Sequence, residues 1–197
     1  MPGKDYLNPE IHLIVDEIAV GFGRTGKIFA HHHAKIKPDF LCLSKGLTAG
    51  YLPLSVTLTT DKIYNAFYDN DIKKGFLHSH SYTGNPLACS AALGMLSIFE
   101  SNDVLLENRN KAIKINLLLE NYKNLPIKDL RNIGMIWAFE LDLNIDISKV
   151  TSYCVSHGLL IRPIGNTIYF MPPYSLNDSE IKHMISITEQ GIKQACI

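Results

Sequence analysis

Leu13 to Gly50, LIVDEIAVGFGRTGKIFAHHHAKIKPDFLCLSKGLTAG, holds two short apolar runs that each end in polar residues. Leu13-Ile14-Val15 ends at Asp16, and Phe40-Leu41-Cys42-Leu43 ends at Ser44-Lys45. Apolar runs this short, rich in β-branched and aromatic residues, read as strands buried on both faces, as in a parallel sheet. Open α/β sheets bind ligands outside the carboxyl ends of their strands. The pattern therefore predicts an acid and a lysine at one sheet edge, facing one crevice.

A lysine so placed can form a Schiff base with an aldehyde, and burial assists by lowering its pKa. Pyridoxal 5'-phosphate is such an aldehyde. Its ring is an electron sink when the pyridine nitrogen is protonated, and a carboxylate at that nitrogen keeps the proton in place. Asp16 and Lys45 supply both groups. Taken alone, the pair reads first as a sheet-edge acid and a surface lysine.

The surrounding residues narrow the choice. DEIAVGFGRTGKIFA followed by KPDFLCLSKGLTAGYLPLS resembles the class III aminotransferases, fold-type I pyridoxal-phosphate enzymes. Their pattern is an acidic pair, a GFGRTG loop and a Pro-Asp strand leading to the Schiff-base lysine. Asp16, Gly21, Gly23, Arg24, Gly26, Pro38, Asp39, Lys45 and Gly46 fall on it in order. The resemblance implies an α/β fold: the C-terminal part of a fold-type I large domain over residues 1–102, then a small α+β domain over 103–197. It also implies that Asp16 partners the pyridine nitrogen, while Glu17 reads as a structural neighbour.

Composition sets outer bounds. The 197 residues are 46% hydrophobic, which predicts a packed core. The net charge is zero with no long basic run, which argues against nucleic acid as the main partner. Cys42, Cys89, Cys154 and Cys196 have no metal-ligand spacing and read as reduced, mostly buried thiols of a cytoplasmic protein. No secretory signal is visible, and the longest apolar stretch, Pro86 to Phe99, is too short and polar to span a bilayer. The resemblance covers only the C-terminal half of the family. The family's glycine-serine phosphate loop and ring-stacking aromatic are not in this sequence. The expectation is a fragment, a split subunit or a truncated product that binds cofactor poorly alone.

Along the chain, residues 1–10 read as a loop or frayed end. Gly21, Gly23 and Gly26 permit close backbone approach to a ligand. Arg24 suits carboxylate recognition as well as it suits a surface charge. His31-His32-His33 cannot face one way on a helix or strand and reads as a short, partly exposed segment rather than a metal site. Leu54 to Leu58 reads as a strand, with Thr60-Asp61 capping a helix through Phe67. HSHSYTGNPLA, His78 to Ala88, sets hydroxyls before a helix start, which favours an anion, though an ordinary N-terminal cap has the same composition. The family resemblance gives Ser81 the role of reaching the cofactor phosphate of the neighbouring subunit, and hence implies a homodimer with shared active sites.

The spacing predicts helices over Leu87–Phe99 and Val104–Tyr122, the latter from apolar residues at helical spacing that include Leu105, Ile113, Leu117 and Leu118. Strands are predicted at Ile127–Ile133, Met135–Leu141, Leu159–Ile161 and Thr167–Phe170. A helix over Ser148–His157 closes at Gly158, and a capping box at Asn177–Glu180 opens the last helix. Arg162 at a strand end before Pro163 can grip a carboxylate with two parallel hydrogen bonds, or form a common surface salt bridge.

IRPIGNTIYFMPPY, Ile161 to Tyr174, most resembles the branch of the family that acts on 8-amino-7-oxononanoate in biotin synthesis. That likeness implies S-adenosylmethionine as amino donor, although lysine-using relatives exist. It implies Arg162 on the oxononanoate carboxylate, Tyr169 near the active site or in the core, and Arg24 and Gly46 on the substrate side. Other ω-amino-acid aminotransferases of the family, and a non-catalytic remnant, are the alternatives.

Overall fold

The computed structural model describes residues 11–196, so the loop expected over 1–10 lies outside the described residues. The chain divides into two compact units, with the boundary in the sequence between Val104 and Leu105. Both mix helix and sheet.

The first unit is built on a three-stranded sheet of order β1-β2-β3. β1, Ile14–Asp16, pairs parallel with β2, Phe40–Leu43, with Asp16 opposite Cys42. β3, Val56–Thr59, runs antiparallel to β2. The expected burial on both faces does not hold. Ile14 is 64% exposed, because nothing covers its face of the described sheet. In β2, Leu41 and Leu43 are buried while Phe40 and Cys42 are half-buried, the period-two alternation of a sheet covered on one side. The covering face comes from α3, Pro86–Ser101, whose Ala92 and Met95 join Phe22, Leu41, Leu43 and Leu47 in one core. Asn85 starts α3 by accepting from the N–H groups of Leu87 and Ala88, with Pro86 in the first turn where its missing N–H costs nothing. α1, His31–Ala34, and α2, Asp61–Phe67, are short. Thr60 precedes α2 without the expected side-chain cap; its carbonyl alone receives the first helical bonds, from Ile63 and Tyr64.

The second unit packs α4, Val104–Leu119, α5, Ile147–Ser156, and α6, Asp178–Ala195, with an antiparallel sheet of order β4-β5-β6. β4, Ile127–Ile133, and β5, Ile136–Leu141, turn at Gly134, whose φ of +57° suits a residue without a Cβ. β6 is Thr167–Phe170. The core gathers Trp137, Phe139 and Leu141 from β5, Ile168 from β6, Val150 and Cys154 from α5, Ile181 and Ile192 from α6, and Ile115 and Leu119 from α4.

One expectation is corrected here, and one face is settled. α4 buries Ala112, Ile115 and Leu119, whereas Ile113 and Leu117 point outward. The helix is apolar on more than one side, so spacing alone does not select its buried face. Leu159–Ile161 is extended coil rather than a strand. Leu160 is exposed, Pro163 has no N–H to give a ladder, and the segment meets β6 only through the isolated bridge of Ile164 and Thr167.

The capping box at Asn177 and Glu180 is present in both directions. All four cysteines are free thiols, but only Cys154 is buried; Cys42 and Cys89 are half-buried and Cys196 is exposed. Among the described residues, no helix is long and apolar enough to cross a membrane.

Candidate active site

Asp16 and Glu17 take opposite faces, as successive residues of an extended chain must. Asp16 ends β1 exposed, and its Oδ1 accepts from the N–H of Ile18 at 2.9 Å. Glu17 prolongs the pairing by donating its N–H to the Cys42 carbonyl, 3.0 Å. Its side chain is turned inward and is fully buried. There it accepts from the N–H groups of Ala30, 2.8 Å, and His31, 2.7 Å, with the His31 Nδ1 3.0 Å away.

The glycine-rich loop between these anchors is tightly wound. Gly23 and Gly26 have φ of +90° and +89°, and Gly23 is bonded to the carbonyl of Ile28. Phe22 also takes a positive φ, +56°, which costs a bulky residue energy and is held by burial of its ring. Arg24 is half-buried in this loop.

Lys45 opens a 3-10 turn, Lys45–Thr48, with φ +41° and an exposed side chain. It comes three residues after Cys42, the register partner of Asp16. Both therefore stand at the carboxyl edge of the parallel pair. Gly46 is half-buried under Phe22, where an added Cβ would lie 3.0 Å from the Phe22 Cδ2.

Ser81 is exposed in the turn before α3. That turn is knitted by the His80 N–H on the Thr83 hydroxyl, 3.0 Å, and the Tyr82 N–H on the His80 Nδ1, 3.1 Å. It borders a groove of about 650 Å³ lined by Ser44, Leu54, His80, Thr83 and Asn85. Ser44, not among the residues expected at the site, thus joins the segment before Lys45 to the start of α3.

Arg162 and Tyr169 belong to the second unit and line one open cleft of about 870 Å³ there. Arg162 is exposed; Tyr169 is half-buried on β6 opposite Ala138. Leu160, Met171 and Pro173 give the cleft apolar walls. A guanidinium beside aliphatic walls suits a carboxylate carried on an alkyl chain. Glu180 and His183 also line it, and Glu180 is occupied in accepting the Asn177 N–H.

The profile of the family "Aminotransferase class-III" matches residues 8–192. The chain belongs to the class-III aminotransferases. Class-III aminotransferases are pyridoxal-phosphate-dependent, and their fold type I accounts for the mixed α/β architecture. The chain is similar to the adenosylmethionine-8-amino-7-oxononanoate aminotransferase of Helicobacter pylori, 48% identical over 190 residues, covering 89% of this chain and 42% of that one. It is similar in structure to the crystal structure of the enzyme of that name from Methanocaldococcus jannaschii, with a TM-score of 0.85 and 39% identity, covering 93% of this chain and 46% of that one. An amine transaminase from an uncultivated Pseudomonas species, in its PLP-bound form, gives a TM-score of 0.82 at 32% identity, covering 94% and 45%. The chain spans less than half the length of each of these class-III relatives.

Proposed function

We propose that this chain supplies the lysine, the ring-nitrogen carboxylate and the substrate-carboxylate arginine of a pyridoxal-phosphate aminotransferase. The reaction is transfer of an amino group to 8-amino-7-oxononanoate, giving 7,8-diaminononanoate for biotin synthesis in the cytoplasm, with S-adenosylmethionine as donor. The observation that carries this is the β1–β2 register, which sets Asp16 and Lys45 on one carboxyl edge. The 48% identity to a protein named for that reaction supports the substrate pair.

The residues fit the cofactor in donor chemistry. Lys45 offers a primary amine on an exposed side chain, and Asp16 an exposed carboxylate. Pyridoxal 5'-phosphate, when bound, supplies an electron sink for loss of the proton next to the migrating amine. Lys45 would hold the cofactor through Nζ and, with its amine free, would take and return that proton as general base. Asp16 would keep the pyridine nitrogen protonated through a charged hydrogen bond. Arg162 orients the acceptor by its carboxylate, with Tyr169 beside it and with Arg24 and Gly46 on the substrate side. Ser81 reaches the cofactor phosphate of a second subunit, so the active form is a homodimer.

The test is to add pyridoxal 5'-phosphate, reduce with borohydride and map the modified lysine by mass spectrometry. Modification at Lys45, lost in Lys45→Ala, is the expected result. Labelling scattered over surface lysines, or a Lys45→Ala protein that still transaminates, refutes the assignment. Activity on ω-amino acids with none on 8-amino-7-oxononanoate would move the chain to another branch of the family.

A further inference from the structure

Glu17 has no part in the chemistry above, yet it is the buried acid of the first unit with the fullest set of donors. Two backbone N–H groups and an imidazole nitrogen converge on its carboxylate within 3.0 Å. These contacts join residue 17 to residues 30 and 31 and so close the whole glycine-rich loop. From the clamp an aromatic series runs inward. His31 stacks on Phe29 at 5.8 Å, Phe29 meets Phe22 edge-on at 5.7 Å, and Phe22 lies on Gly46. The series ends beside Lys45, the residue on which the proposed function depends.

We infer that Glu17 is a positioning residue for Lys45: its carboxylate locks the loop that presses Phe22 onto the turn carrying the lysine. Lys45 and Ala49 both take positive φ, a conformation that side-chain-bearing residues keep only when their surroundings impose it. The turn's own bonds, Ala49 N–H to the Gly46 carbonyl and Gly50 N–H to the Lys45 carbonyl, are short-range. The ring of Phe22 supplies a long-range restraint, and Glu17 fixes the loop that bears it. A glutamine at 17 keeps the shape but turns an amide donor toward donors, leaving a buried N–H unmatched.

The experiment is NMR-detected amide hydrogen exchange on the 197-residue chain. Glu17→Gln is expected to speed exchange at Ala30 and His31 and also at Ala49 and Gly50, by roughly tenfold or more, the scale of a buried donor left without its acceptor. Phe22→Leu, which leaves the clamp intact, is expected to loosen Ala49 and Gly50 while Ala30 and His31 stay slow, and it carries the test if Glu17→Gln does not fold. Faster exchange at 30 and 31 with 49 and 50 unchanged overturns the inference. So does an even rise through β1, β2, β3 and α3, which marks a general loss of stability. The link to function rests on the cofactor reading and has its own readout, the pyridoxal 5'-phosphate concentration that half-saturates borohydride-trapped Lys45. It is expected to rise in each variant with loosened 49 and 50 amides, and an unchanged value there overturns the positioning role. If the unaltered chain traps no cofactor at Lys45, the functional reading fails while the exchange pattern still decides the coupling.

Discussion

Phe22 and Gly46 are in contact so close that a methyl group on Gly46 would stand 3.0 Å from one ring carbon and 3.3 Å from the Phe22 Cβ. Gly46→Ala is therefore an overpacking change in a core that also holds Leu43 and Leu47. It should destabilise the first unit by about 1–3 kcal/mol. Urea denaturation followed by circular dichroism measures the shift, and a variant as stable as the parent would mean that the loop yields freely.

Tyr122 donates its hydroxyl to the Ile185 carbonyl at 2.8 Å from a fully buried position. Burial pushes its phenol pKa well above the ordinary value near 10. The sign follows from linkage. Below the unfolded value both states are protonated and the contribution is present in full; above it the unfolded chain ionises first and stability falls. Tyr122→Phe should cost about 1–2 kcal/mol at neutral pH, because a carbonyl loses its donor. It should also flatten the loss of stability above about pH 10. Denaturant midpoints taken from pH 7 to pH 11 for both proteins check the two statements together.

Arg162 lies in a cleft whose other walls are largely apolar. Under the proposed function Arg162→Ala should raise the KM for 8-amino-7-oxononanoate by roughly 10- to 100-fold, the worth of a charge-assisted pair of hydrogen bonds. Lysine at this position should recover only part of that, since a point charge cannot match the planar fork. Steady-state kinetics on active protein decide it, and an unchanged KM places the carboxylate elsewhere.

Asn177 accepts from the N–H groups of Ser179 and Glu180 while Glu180 returns a bond to the Asn177 N–H. Asn177→Ala should cost about 1 kcal/mol in the second unit. Trp137, the single tryptophan, is buried in that unit and reports the transition by fluorescence.

The elements with strong local signals were legible before the structure. β6, the hairpin at Gly134 and the capping box each rest on nearest-neighbour chemistry, and the chain states that chemistry outright. α4 was legible as a helix, but its buried face was not, because Leu106, Ile113 and Leu117 are as apolar as the buried Ile115 and Leu119. Only tertiary packing decides which of its sides turns inward. The extended stretch ahead of Arg162 read as a strand by composition, but a strand needs a neighbour with matching donors, and Pro163 removes one. At the candidate site, the shared edge of Asp16 and Lys45 followed from two apolar runs. The inward turn of Glu17 and the strained backbone of Phe22 did not, since both are set by contacts with residues 30, 31 and 46.

The four thiols give the molecule a chemical clock for each half. Cys42 and Cys89 sit in the first unit, and Cys154 and Cys196 in the second. Burial raises the pKa of Cys154, so its reactive thiolate is scarce as well as shielded. An alkylating reagent should mark Cys196 first and Cys154 only as often as the second unit opens. The order of modification, read by mass, then times the breathing of the two halves separately in one sample.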